Sequence, residues 1–171
     1  HNRRNLLSGG GMHCMIFGDR THAYRCEATT LEGFVQQLGV AYIARGYFFY
    51  VAGLVPKRLS ASEHDSRMLL KFDVARSKWS RYRRKKRSAA NGRALANVQY
   101  LRYCDYWVLL CTAGQHRFFD EHQRQTGSDS LRRDYLDVRE VPISFGGYSL
   151  GWRKRLSVRI GKRAYRELKA H

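Results

Sequence analysis

Acidic residues are what this chain has little of: fourteen Asp and Glu stand against thirty-two Lys and Arg, a formal net charge of +18 with His neutral. A folded chain with that excess repels itself, and the usual compensator is a polyanion, so nucleic acid leads as a partner class and an anionic membrane surface comes second. Proline is scarce as well, at two residues, while aromatics make up 13% and hydrophobic residues 43%. That balance excludes a disordered basic tail, which is too poor in apolar side chains to fold. Long apolar runs are also missing. The nearest candidate, Leu38 to Val55, carries Arg45 at its centre, where a membrane helix tolerates charge worst, and Gly46 then leads into a strand-like YFFYV. No membrane partner is expected from it.

The N-terminus HNRRNLLSGGGM lacks the apolar stretch of a secretory leader, so residues 1–11 read as a flexible basic tail and the compartment as intracellular, cytoplasm or nucleoid/nucleus. Cys14, Cys26, Cys104 and Cys111 are then expected to be reduced, with Cys104 and Cys111 as small core residues. At 171 residues the chain has room for one domain, 12–171, and not for two full ones. It does not begin with Met, and GKRAYRELKAH stops within three turns, which suits a short terminal helix or a piece of a longer chain equally.

Recognisable motifs are missing too. There is no Walker loop, dinucleotide fingerprint or nucleophile elbow. Arg45-Gly46-Tyr47-Phe48-Phe49 resembles the opening of the RNA-recognition-motif signature, but Phe48 breaks its small position and Ala52 its final aromatic. Tyr50 to Val55 resembles the start of the LAGLIDADG homing-endonuclease helix, but Pro56 stands where that family needs an acidic metal ligand. Rolling-circle initiators pair two histidines around one hydrophobic residue, and no two of the seven histidines here are so spaced.

Periodicity supplies the elements. Thr29 and Glu32 have capping-box spacing ahead of LEGFVQQLGVAYIARG, whose Leu31, Phe34, Val35, Leu38 and Tyr42 share a helix face, with Gly46 as the left-handed cap. YFFYVAGLV is apolar on both faces and belongs inside a sheet. Ser60 or Ser62 opens a second helix carrying Met68, Leu69, Leu70 and Phe72. ANVQYLRY and YWVLLCT form a hairpin across Cys104-Asp105, and QHRFFDEHQRQ is a short helix or loop. VREVPISF, YSLGW and RLSVRI are three further strands. The expected fold is α+β, a single domain with one mixed, largely antiparallel sheet packed by two or three helices, one strongly basic.

SKWSRYRRKKR, residues 77 to 87, is the feature to explain: seven of eleven residues are Lys or Arg and none is acidic. Arg76, Lys78, Arg81, Arg83, Arg84, Lys85, Lys86 and Arg87 surround the helix axis, while Trp79 and Tyr82 make a seam that either docks the helix or stacks on bases. A second basic cluster is Trp152, Arg153, Lys154, Arg155, Arg159, Lys162, Arg163 and Arg166, and the two are expected to line one groove. Arg93, Asn91 and Asn97 are candidates for reading base edges.

Sites for chemistry are thinner. His13, Cys14, His22 and Cys26 are four zinc-type ligands within fourteen residues, without the usual Cys knuckle. His116, Asp120, Glu121 and His122 form an acid–base cluster. Asp134, Asp137 and Glu140, with His116, are the residues a Mg²⁺-dependent nuclease would use. The leading expectation is a module that binds DNA or RNA, DNA favoured because no RNA module is completed, with no cofactor. The alternatives are that nuclease and an RNA-bound structural protein of a ribonucleoprotein.

Overall fold

The computed structural model describes residues 24–74, 78–92, 94–122, 134–161, 165–166 and 169; the expected tail, 1–11, lies outside them. The first helix, α1 (Leu31–Gln36), is capped by Thr30, whose hydroxyl accepts from the Gly33 N–H at 3.1 Å. The cap is one residue later than the Thr29–Glu32 spacing predicts. Gly33 has no side chain to reach back, so the box reduces to a single bond.

The helix does not run on to Gly46 in α geometry. Gln37–Tyr42 widens to a π-helical turn and Ile43–Arg45 tightens to a 3₁₀ turn. The widening lets Leu38, Tyr42 and Ile43 all face the core, none more than 5% exposed. Gln37 Nε2 donates to the Tyr42 hydroxyl across it at 2.9 Å. Gly46, at φ 91°, supplies the expected left-handed cap.

Next come β1 (Phe49–Leu54), α2 (Ala61–Lys71), α3 (Lys78–Asn91), β2 (Val98–Tyr103), β3 (Tyr106–Cys111), α4 (Arg117–Glu121) and β4 (Leu136–Asp137). The box that opens α2 is complete: Ser60 Oγ accepts from the Glu63 N–H, and the Glu63 carboxylate accepts from the Ser60 N–H at 3.0 Å. The strands form an antiparallel sheet ordered β2-β3-β1-β4. The two sequences apolar on both faces, β1 and β3, are therefore the inner strands, as their pattern predicts. Cys111 is buried, but Cys104 is exposed: it turns the β2–β3 hairpin at φ 49°, where a side chain points to solvent and not to the core.

One face of this sheet, through Tyr50, Leu101, Val108 and Leu110, packs on Phe34, Leu38 and Ile43. The other, through Val51, Val98, Tyr100, Trp107 and Leu109, packs on Phe72, Val74 and Phe118. The sequence suggests one sheet; two form. β5 (Ile143–Phe145), β6 (Tyr148–Arg153) and β7 (Arg155–Ile160) pair only among themselves, antiparallel in the order β5-β6-β7. Their apolar side, including Ile143, Leu150 and Leu156, joins the cluster around Phe34 and Leu38, so the first helix holds the two sheets together. VREVPISF yields only the short β5. Its first half is a turn, because the Asp137 carboxylate accepts from the Arg139 N–H at 2.9 Å and Pro142 has no N–H to give a ladder. The class is α+β, and no helix among the described residues is long and apolar enough to cross a membrane.

A charged cluster lies inside the second core. Asp65 accepts from Arg102 Nε and Nη2, both at 2.9 Å, and from the Tyr100 hydroxyl at 2.7 Å. His64 Nδ1 is 3.0 Å from that hydroxyl, and Cys26 Sγ donates to Asp65 at 3.4 Å. Burial, then the Asp65 charge, pushes the Cys26 thiol up to about 12. Burial, then the bond to Asp65, likewise raises Tyr100 well above the ordinary phenol range. The cluster ties α2 to β2 and keeps the thiol protonated.

Candidate nucleic-acid interface

The basic helix is fixed to the body by one of its own arginines. Arg84 donates through Nη2 to the Asp73 carbonyl oxygen at 2.6 Å and pairs with the Asp73 carboxylate. Its side chain is 17% exposed against 88% for Asp73, so Arg84 lies against the protein and its charge is taken up there. Burial, then the positive charge of Arg84, lowers the His116 pKa from its ordinary value. Arg84 is thus a fastening, although its place in the charge run holds no hint of it.

The side of α3 away from Arg84 is open. Trp79, Tyr82, Arg83, Lys86, Arg87 and Ala90 are all exposed. Their spacing, i, i+3, i+4, i+7, i+8 and i+11, is that of one helix face. Among the described residues, the expected ring of cations is therefore divided into a half-buried Arg84 and an outward stripe. Trp79 is 64% exposed and Tyr82 54%, so the aromatic seam does not dock the helix. The two rings stack on each other, centroids 5.4 Å apart and planes 14° from parallel. Among the described residues no carboxylate pairs with Arg83, Lys86 or Arg87. The side chains of Lys78, Arg81, Lys85 and Asn91, and all of Arg76 and Arg93, lie outside what is described.

The second basic region is built on strand alternation. Register pairs Arg153 with Arg155, Gly151 with Ser157, Ser149 with Arg159, and Ser149 with Ser144. Residues opposite each other share a face, so this side of the small sheet carries arginines, serines and one glycine, and no acid. The turn before β5 covers Gly151, where an added Cβ would lie 3.3 Å from Pro142 Cγ. Arg153, Arg155 and Arg159 remain exposed at the rim, and with Leu156, Ser157 and Val158 they line an open depression along β7. Arg159 Nε donates to Ser157 Oγ at 3.1 Å. Lys154, at φ 63°, turns the hairpin between the paired arginines, so three cations follow one another at its tip. Of the C-terminal residues, Arg166 is exposed, while Lys162 and Arg163 lie outside the described residues.

The two basic regions do not form the single groove the sequence suggests. α3 is fastened to Asp73, beside the core of Phe72 and Val74, whereas β6 and β7 belong to the core around Phe34 and Leu38. The four-stranded sheet separates these cores, so the cationic surfaces are attached on its opposite sides. Asn97, a candidate base reader, turns its N–H to Thr112 Oγ1 at 2.9 Å and is half-buried.

The acid–base candidates hold structure. His116 caps α4, its Nδ1 accepting from the Phe118 N–H at 3.0 Å. Glu121 pairs with Lys71 at 2.7 Å and with Arg117 at 3.0 Å. His122 is buried and stacks on Phe72. Asp137 is buried and, besides the Arg139 N–H, accepts from Nε and Nη2 of Arg139, whose guanidinium lies 4.8 Å from the Phe48 ring centre. Asp134 is half-buried and Glu140 exposed. No group of three or more His, Cys, Asp or Glu is gathered for a metal among the described residues. Of the zinc candidates, Cys26 is engaged with Asp65, and His13, Cys14 and His22 lie outside those residues.

Comparison with protein-family models, with curated proteins and with solved structures finds no match to this chain.

Proposed function

We propose that this protein binds nucleic acid, DNA in preference to RNA, by gripping the phosphate backbone with the basic helix and the basic hairpin. The observation that carries the reading is the hairpin tip. Arg153 and Arg155 sit directly opposite each other with Lys154 between them, and among the described residues no carboxylate pairs with any of the three. Like charges in that position destabilise a sheet until an anion lies across them. A phosphate is bound bidentately by a guanidinium fork, and serines on the same face offer further donors. The open cations of α3 give a second grip of the same chemistry. Surfaces that contact phosphate alone position a strand without reading its sequence, so little sequence preference is expected.

The test is competition at fixed ionic strength between duplex DNA, single-stranded DNA and structured RNA of equal length. DNA should displace RNA, and added salt should release both. A chain that ignores all three in dilute buffer refutes the reading. Cleavage that needs Mg²⁺ would replace a binding module by an enzyme.

A further inference from the structure

Resting on that reading, we infer that the strand held by α3 is single, with unpaired bases stacked on the Trp79–Tyr82 step. Two large rings more than half exposed on a helix that has a core-facing side available are not there for packing. Trp79 and Tyr82 cover one another on one face each, which leaves the outer face of either ring open to continue the stack. Duplex bases are already stacked on both sides and cannot do so; an unpaired base can, whatever its identity.

The cations lie where such a strand needs them. Arg83 follows Tyr82 directly, and Lys86 and Arg87 occupy the next turn of the same face, all exposed. From Trp79 to Arg87 the face extends about 12 Å, the length of roughly three or four stacked nucleotides. Aromatics lead and cations follow along a single line, so bases and backbone of one strand are met by successive turns of one helix. Arg84, beside that line and half-buried, is tied to Asp73.

The experiment measures binding of a fluorescent single strand, the same sequence closed into a hairpin duplex, and a base-free phosphodiester strand of equal charge. Partners are the wild-type chain, Trp79→Ala/Tyr82→Ala and Trp79→Phe. The single strand should bind tightest. The double variant should lose roughly 5- to 150-fold per stacked base, falling to the affinity the wild type shows for the base-free strand, while Trp79→Phe keeps most of it. If duplex and single strand bind alike, or the base-free strand binds as well as the natural one, the inference is wrong although binding to phosphate stands. If no nucleic acid binds at all, the underlying reading fails instead. The base-free strand decides the matter on the wild-type protein, so the result does not depend on how the variants fold.

Discussion

Removing the three open cations of α3 should change the salt dependence of binding by an amount that can be worked out beforehand. Arg83, Lys86 and Arg87 are exposed and, among the described residues, engaged by no carboxylate, so each is available to one phosphate. Each neutralised phosphate of a single strand contributes about 0.7 to the slope of log affinity against log salt. The variant Arg83→Gln/Lys86→Gln/Arg87→Gln should therefore flatten that slope by about 2. Over a fourfold rise in salt, from about 50 to 200 mM, this means the gap between wild type and variant narrows by roughly twentyfold. Fluorescence anisotropy titrations of a labelled single strand at a series of KCl concentrations measure it directly. Arg84→Gln is the control: its charge is already used on Asp73, so the slope should stay near that of the wild type. Equal slopes for wild type and triple variant would show that the stripe meets no phosphates, and a flattened slope in Arg84→Gln would show that its pairing to Asp73 had been misjudged.

Three further outcomes are expected. Asp65→Ala should cost about 3 kcal/mol in urea unfolding, the low end for a broken buried pair, because the buried Arg102 guanidinium then keeps only the exposed Glu27, at 3.2 Å, and the Cys104 carbonyl; a loss below about 1 kcal/mol would remove the cluster's structural role. The cap at α4 needs a neutral His116, and burial holds its folded pKa below the ordinary 6.5, so its contribution is present above 6.5 and is lost as pH falls through the folded value. His116→Asn, which can still cap, should show a flatter decline in melting temperature on acidification, and an unchanged profile would discount the histidine. In a Cys14→Ser background only Cys104 should react quickly with a thiol reagent near neutral pH, since burial holds Cys26 and Cys111 at about 12; rapid labelling of more than one thiol would contradict that burial.

How much of this was legible in the sequence depends on the range of the interaction. Strictly local signals were readable: the Ser60–Glu63 box, Gly46 as a left-handed cap, and the hairpin across Cys104-Asp105 all form where the residues indicate. Inner strands were readable because a segment apolar on both faces must be covered on both, and a sheet interior does that. The division into two sheets was not, since it depends on Leu150 and Leu156 choosing the helix around Leu38 over the first sheet, a contact between distant segments. Nor was the sorting of cations on α3. Arg84 is one among eight similar neighbours, and only Asp73, eleven positions earlier, distinguishes it. That pairing holds Arg84 against the body, while Trp79 and Tyr82 stay exposed.

The residue that turns the β6–β7 hairpin sits at a positive φ that suits glycine, yet it is Lys154. Backbone comfort and charge therefore pull in opposite directions at one position: exchanging the lysine for glycine should relieve about 1–2 kcal/mol of steric conflict while stripping the apex of its central cation. Asp73 and Cys104 sit at positive φ as well, so what sets Lys154 apart is its charge between two arginines. On the proposed reading, the steric cost would be offset when something negative settles on the turn.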